Sequence, residues 1–508
     1  MLKRKISAIV AMALLGSTSM VNAQAGDTMS KLIDALHDSG SISSEAYSAL
    51  KASAEAESNG KKPVNEEVKN AITEEVLKVS KIVEENAKKH GPTDAKVIYK
   101  DGFKLESADG QQSLGINGRL QLDSRNFLND TAADVFDLRR AYLIFSGKVF
   151  DKFEYSMIGV FNGKNAAQPL FWDVNAHLWD EFQIKMGQLR FPFGQNERTS
   201  SRNLDFMERA IPMQFVPGID RGVMVHGYPK PGIYYAAAVV NGGVRQNPGL
   251  ASNNQDEFTD ADGKDILGRL AFDAAKMLGH KDNIYHVGVA YGTGIQPGKN
   301  SFQQASTEAR GLQFFKTKDF NNLEFKLQRF GFDSTLAFGP VKFTGEYVKN
   351  VYSGESLRGD GFERNLDTYY LSANWMITGE NYSHFFGKDG GFGNIKPNRN
   401  FDMSGGWGAW ELAARFSHLD ASDFKTSNLT GTGVLSQGSA NQANAYTIGL
   451  KWYLNPSVRF YMEYVNTDFN MPVGIKGQVD DPDPKLGKKT IGTATSEQAL
   501  NFSTRFDF

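Results

Sequence analysis

Residues 97–508 are predicted to be all-β, a sixteen-stranded antiparallel transmembrane β-barrel, with an N-terminal α-helical periplasmic segment in front of it. Three observations predict this. Apolar and polar residues alternate with period two from about Val97 to Phe508, as in strands with one oily and one polar face. Tight turns alternate with long polar connections, which puts the short links at one end of the structure and the long ones at the other. After its start the chain has no run of about eighteen apolar residues, so no helix is expected to cross a bilayer, although Phe (36), Tyr (18) and Gly (51) are abundant.

Lys3, Arg4 and Lys5, the short apolar run ISAIVAMALL (6–15) and Val21-Asn22-Ala23 read as a secretory signal peptide, residues 1–23, cleaved after Ala23. Residues 24–96 are rich in Ala, Glu, Lys and Ser, and Val68, Ile72, Val76, Val79 and Val83 form one stripe of a helix. That stripe is either the buried side of a solvated helix or a short coiled coil that joins subunits. GPTD (91–94) closes the helical region.

The first strand, LGINGRLQLD (114–123), puts Leu114, Ile116, Leu120 and Leu122 on one face and Asn117, Arg119, Gln121 and Asp123 on the other. KFEYSMIGVF (152–161), NIYHVGVAY (283–291), TYYLSANWMI (368–377) and AYTIGLKWYL (445–454) repeat the pattern. So does ALNFSTRFDF (499–508), where Leu500, Phe502, Phe506 and Phe508 oppose Asn501, Ser503, Arg505 and Asp507. Tight links fall at 149–152, 179–182, 229–232, 339–340 and 454–457; long ones at 195–220, 241–264, 292–318, 349–366, 418–443 and 470–495. A closed barrel satisfies every backbone N–H and C=O without water, which is what the bilayer demands. Trp172, Trp179, Trp407, Trp410 and Trp452 suit its interfacial girdles, and about sixteen strands leave an aqueous lumen.

FDLRRAYLIFSGKVFDKFEYSMIGVF (136–161), MGQLRFPFGQNERTSSRNLDFMERA (186–210), YYAAAVVNG (234–242), GAWELAARFSHLD (408–420) and GLKWYLNPSVRFYMEYV (449–465) resemble the phosphate-selective porin O and P family. The resemblance spans 97–508. It implies a barrel, usually a homotrimer, in the outer membrane of a Gram-negative bacterium, set in outer-membrane lipids with its N-terminal region in the periplasm. It also implies passive diffusion of small inorganic anions or other small hydrophilic solutes past basic residues at a constriction. An aromatic last strand ending on Phe508 is expected to be read by the outer-membrane barrel assembly machinery.

Parity turns Arg119 inward on strand one and Lys185 inward on strand five, and leaves the Arg139-Arg140 pair ambiguous, with Arg139 preferred. A charge on the lipid face near the midplane costs about 2–4 kcal/mol, which favours the lumen for all of these. Residues 195–220 hold Arg198, Arg202 and Arg209, and Arg221 follows. These seven are the candidate pore-lining and anion-binding residues, and the guanidinium forks of the six arginines fit two phosphate oxygens at once. The same loop carries Glu197, Asp205, Glu208 and Asp220, so salt bridges tying it to the wall explain its arginines equally well. With 56 Lys+Arg against 58 Asp+Glu the chain has no global anion-attracting field. A general non-selective porin, or a structural tether between outer membrane and cell wall through 24–96, therefore stand as alternatives.

No enzyme is expected. The eight histidines form no Ser-His-Asp grouping by spacing, and His177, with Asp173 and Asn175, reads as wall lining. Without Cys or a paired-His motif, no metal or other cofactor is implied. GKDGGFG (387–393) is turn material, and a net charge of −2 gives no reason to invoke nucleic acid.

Overall fold

The computed structural model describes residues 51, 95–99, 102–162, 168–242, 264–296, 303–318, 320, 323–356, 358–426, 434–480 and 488–508. The chain divides into two compact units, Met1–Ala95 and Lys96–Phe508. The signal peptide 1–23 and, apart from Lys51 and the strand residues Ala95 and Lys96, the helical region 24–96 lie outside the described residues.

Alternating side chains become sixteen antiparallel strands. They are β1 (Ser113–Phe127), β2 (Val135–Val149), β3 (Phe153–Val160), β4 (Gln168–Trp179), β5 (Phe182–Arg190), β6 (Ile219–Lys230), β7 (Ile233–Val240) and β8 (Asp265–Asp273). The ring continues through β9 (Asn283–Gln296), β10 (Phe325–Phe338), β11 (Val341–Glu355), β12 (Gly361–Met376), β13 (Ala409–Asp420), β14 (Gln442–Tyr453), β15 (Val458–Asp480) and β16 (Lys488–Asp507). Each pairs with its chain neighbour, and β16 closes on β1 from Ala499↔Phe127 to Asp507↔Arg119. Closure leaves no edge within the ring, as the bilayer requires.

The two faces obey the predicted parity. On β1, Leu120 and Leu122 are 48% and 49% exposed on the outer wall, whereas Arg119, Gln121 and Asp123 are buried inside. Phe502, Phe506 and Phe508 stand outward on β16, with Asn501, Ser503, Arg505 and Asp507 buried between them. Phe508 pairs through its backbone with Gly118, at 2.9 and 3.1 Å. A Cβ on residue 118 would lie 2.1 Å from Cζ of Phe508, so the ring must shift for any larger residue there. A strand at Phe103–Ser107 pairs with Ser113–Ile116 and so continues along β1 the lane that β16 leaves at Phe508.

The connections differ from expectation in two respects. The polar stretches 349–366 and 470–495 are largely paired strand, because β11, β12, β15 and β16 run well past the ten or so residues needed to span a bilayer. Beyond the membrane both faces meet water, so strand residues there are polar and read as loop. In the other direction, 377–408 is a long connection at the end that otherwise carries short turns.

Candidate functional site: a basic channel beside an inward-folded loop

The β5–β6 connection, residues 191–218, folds into the lumen. Its apolar residues Phe191, Phe193, Leu204, Phe206, Ile211 and Phe215 are buried, packing partly on the inner wall. Inside a barrel the loop's backbone groups cannot all reach water, so wall side chains supply partners. Glu346 of β11 accepts from the amides of Gln195 and Asn196, and Glu463 of β15 accepts from Met207 N at 2.7 Å. In return Arg459 donates to Arg202 O, Arg505 to Met207 O and Arg415 to Glu208 O, at 3.0–3.2 Å. The β9–β10 connection also turns inward: Glu308 accepts from Ile211 N and pairs with Arg415, while Arg310 lies 3.7 Å from Glu208.

The loop's acids and bases pair mainly across to other elements. Glu208 sits among Arg139 (2.7 Å), Arg125 (2.8 Å), Arg310 (3.7 Å) and Arg140 (4.0 Å). Asp205 pairs with Lys342 at 2.6 Å, and Arg202 with Asp507 at 3.0 Å. Burial by itself would raise the Glu208 carboxyl, but Arg139, Arg310 and Arg125 hold it well below the usual carboxylate range.

What the loop leaves open is a cavity of about 480 Å³ against the inner face of β1–β6. Among the described residues seven basic side chains line it, Arg119, Arg139, Arg140, Lys185, Arg190, Arg198 and Arg209, against two acids, Asp173 and Glu197. A second cavity of about 450 Å³ shares Ser156, Asp173 and Lys185 with the first and reaches Lys104 and Lys148 at the short-turn end. Most lining bases do have a carboxylate: Arg119–Asp507 (2.9 Å), Lys185–Asp173 (2.9 Å), Arg209–Glu197 (3.1 Å), Arg190–Glu197 (3.6 Å) and Arg198–Asp389. Three of the carboxylate partners, Asp507, Asp389 and, for Arg139, Glu208, do not line the cavity. Its lining therefore carries more guanidinium groups than carboxylates.

Of the seven residues expected from sequence, Arg119, Arg139, Lys185, Arg198 and Arg209 meet at this cavity. Arg202 is drawn aside to Asp507 and Pro456 O. Arg221 does not line the cavity, and its Nε donates to Gln188 Oε1 at 3.4 Å. Arg140 joins Arg139 inside because a bulge opposite Gln121/Leu122 inserts one residue and breaks the alternation. Sequence parity alone cannot place both. Arg125, by contrast, follows directly from the 119-121-123 series. His177 lies between Glu154 and Asp180, at 3.4 and 2.9 Å, near the end of β4.

A closed antiparallel barrel with an oily outer wall, a charged lumen and loops folded into it is a transmembrane diffusion pore, an outer-membrane porin. Residues 114–471 match the family model described as phosphate-selective porin O and P, and the chain belongs to that family. It is 21% identical over 413 residues to Porin O of Pseudomonas aeruginosa, covering 73% of this chain and 86% of that protein. Among solved structures it is similar to the anion-selective porin from Comamonas acidovorans, with a TM-score of 0.46, 11% identity and coverage of 78% and 100% of the two chains. It is also similar to the outer membrane channel DcaP of Acinetobacter baumannii, with a TM-score of 0.43, 10% identity and coverage of 80% and 99%.

Proposed function

We propose that this porin passes small anions by passive diffusion along the β1–β6 wall, inorganic phosphate among them. The observation that carries the reading is the lining itself, seven bases to two acids, with three of the pairing carboxylates outside it. At about 4 Å and an effective dielectric near 20, one unpaired guanidinium offers an anion about 4 kcal/mol, and it repels a cation by a similar amount. Arg140 is the least neutralised of the set. It donates to Gln121 Oε1 at 2.6 Å, and among the described residues its nearest carboxylate, Glu208, lies 4.0 Å away. It thus keeps fork donors for two oxygens of one phosphate.

One observation favours a less selective channel, namely that every other lining base has a carboxylate within 3.6 Å or in direct contact. Titrating phosphate into a chloride-carrying single channel separates the two. Block or slowing of the chloride current at low phosphate supports retention by the arginines, and a current indifferent to phosphate supports a general porin. Membership of the family is also the ground for reading the barrel as a homotrimer inserted by recognition of Phe508. The mass of the detergent-solubilised particle tests the assembly.

A further inference from the structure

The stretch GKDGGFG, residues 387–393, is the tip of the 377–408 connection, which enters the barrel from the end opposite to the inner loop. Its base is anchored by Tyr382, Phe386 and Phe392, packed on Ile284, Ala337 and Met376 of the wall. Lys342 lies over the Phe392 ring at 4.1 Å, and Lys276 donates to the carbonyls of Phe386 and Gly387 at 3.2 and 3.1 Å. Gly390 permits a close approach: it has φ 84°, and a Cβ there would press on His286. Gly391 lies beside the Arg198 backbone, at ordinary contact distance.

The tip then touches the inner loop at three points. Phe392 N donates to Thr199 Oγ1 at 3.2 Å, and Asn203 Nδ2 donates to Phe392 O at 3.2 Å. The Asp389 carboxylate accepts from Arg198 Nε at 3.2 Å and from its Nη2. Asp389 is itself set by Gly391 N, which donates to Oδ1 at 3.2 Å. The Tyr234 ring, 5.0 Å away, provides a further contact for the Arg198 guanidinium. Arg198 lines the channel and Asp389 does not.

We propose that Asp389 is a positioning residue of the channel: carried in from the short-turn end, it fixes Arg198 at the channel wall, so that two segments inserted from opposite ends jointly set the anion preference. The inference rests on the reading under Proposed function. It also carries its own sign. Were Asp389 only a fixed negative charge near the path, removing it would strengthen anion preference, because one neutralising charge is lost. If it positions Arg198, removing it frees a long side chain to leave the wall, and anion preference falls although net positive charge has risen.

The test compares wild type with Asp389→Asn, Asp389→Glu, Arg198→Gln and the double variant Asp389→Asn/Arg198→Gln in planar bilayers. Each is first shown to be a folded barrel by its heat-modifiable gel mobility. The expected result is a fall of about twofold or more in the chloride-to-potassium permeability ratio of Asp389→Asn, with more open-channel noise. Asp389→Glu should restore the ratio, and the double variant should match Arg198→Gln, because the two residues act as a unit. An unchanged or higher ratio in Asp389→Asn overturns the proposal. If wild type shows no anion preference, the reading under Proposed function fails; the contact is then judged by noise, and a quiet Asp389→Asn channel overturns it.

Discussion

Glu208 of the inner loop accepts both Nε and Nη2 of Arg139 on β2, at 2.7 and 3.0 Å. Arg125, Arg310 and Arg140 crowd the same carboxylate. One acid thus bridges four cations from β1, β2 and the β9–β10 connection, of which Arg125 and Arg310 also pair with Asp123 and Asp137. Without it the four lose their shared partner and the loop loses one of its ties to the wall. Glu208→Gln is expected to destabilise the barrel by about 3–5 kcal/mol, the usual cost of breaking a buried pair from one side. Urea unfolding of the detergent-solubilised protein measures this, and a loss below about 1 kcal/mol would show the cluster to be solvated.

Arg140 and Arg221 provide a paired test of placement. Arg140→Gln should shift the reversal potential toward the potassium side, because it removes the least neutralised charge at the cavity. Arg221→Gln should leave it unchanged, since that residue does not line the cavity. Equal effects of the two would mean that the cavity is not the conducting path.

Leu122 faces outward and Gln121 inward at neighbouring positions of β1. Leu122→Arg is expected to cost about 2–4 kcal/mol of folding free energy in a bilayer, as a charge on the lipid face does. Reversible unfolding from lipid vesicles gives the number directly.

Gly118 receives the Phe508 ring. Gly118→Leu should obstruct the closing register of β16 on β1 and lower the yield of heat-modifiable barrel, whereas Gly118→Ala should lower it less. A Gly118→Leu barrel that assembles at the wild-type yield would mean that this notch plays no part in closure.

Asp389 bears on pH dependence. Burial pushes its carboxyl up, but the charge and hydrogen bonds of Arg198 outweigh this and hold it at about 2, below the ordinary 3.8. A carboxyl with a depressed value contributes its stabilisation in full above 3.8 and loses it as pH falls through about 2. The Asp389–Arg198 contact should therefore leave ion selectivity flat between pH 8 and pH 4, checked by reversal potentials across that range. A step within it would assign the titration to another group.

The outer wall was the most legible part of the sequence, because lipid contact imposes strict alternation and a one-residue slip would turn every polar side chain outward. Arg119 and Lys185 followed from that parity. Arg139 and Arg140 did not, since the bulge that turns both inward leaves no mark in composition. The partners of the loop residues were illegible for a different reason. Glu208 meets Arg125 and Arg139 from far along the chain, and sequence shows that acids and bases balance without showing which stands behind which. The 377–408 segment is glycine-rich like any exposed turn, and only the fold reveals that Gly390 serves close approach.

The reversal potential of the purified wild-type protein in a planar bilayer under a KCl gradient tests the central claim most directly. A lining with more bases than acids predicts a potential on the chloride side. A potential near zero or on the potassium side would contradict it and would mean that the paired carboxylates cancel the arginines along the whole path.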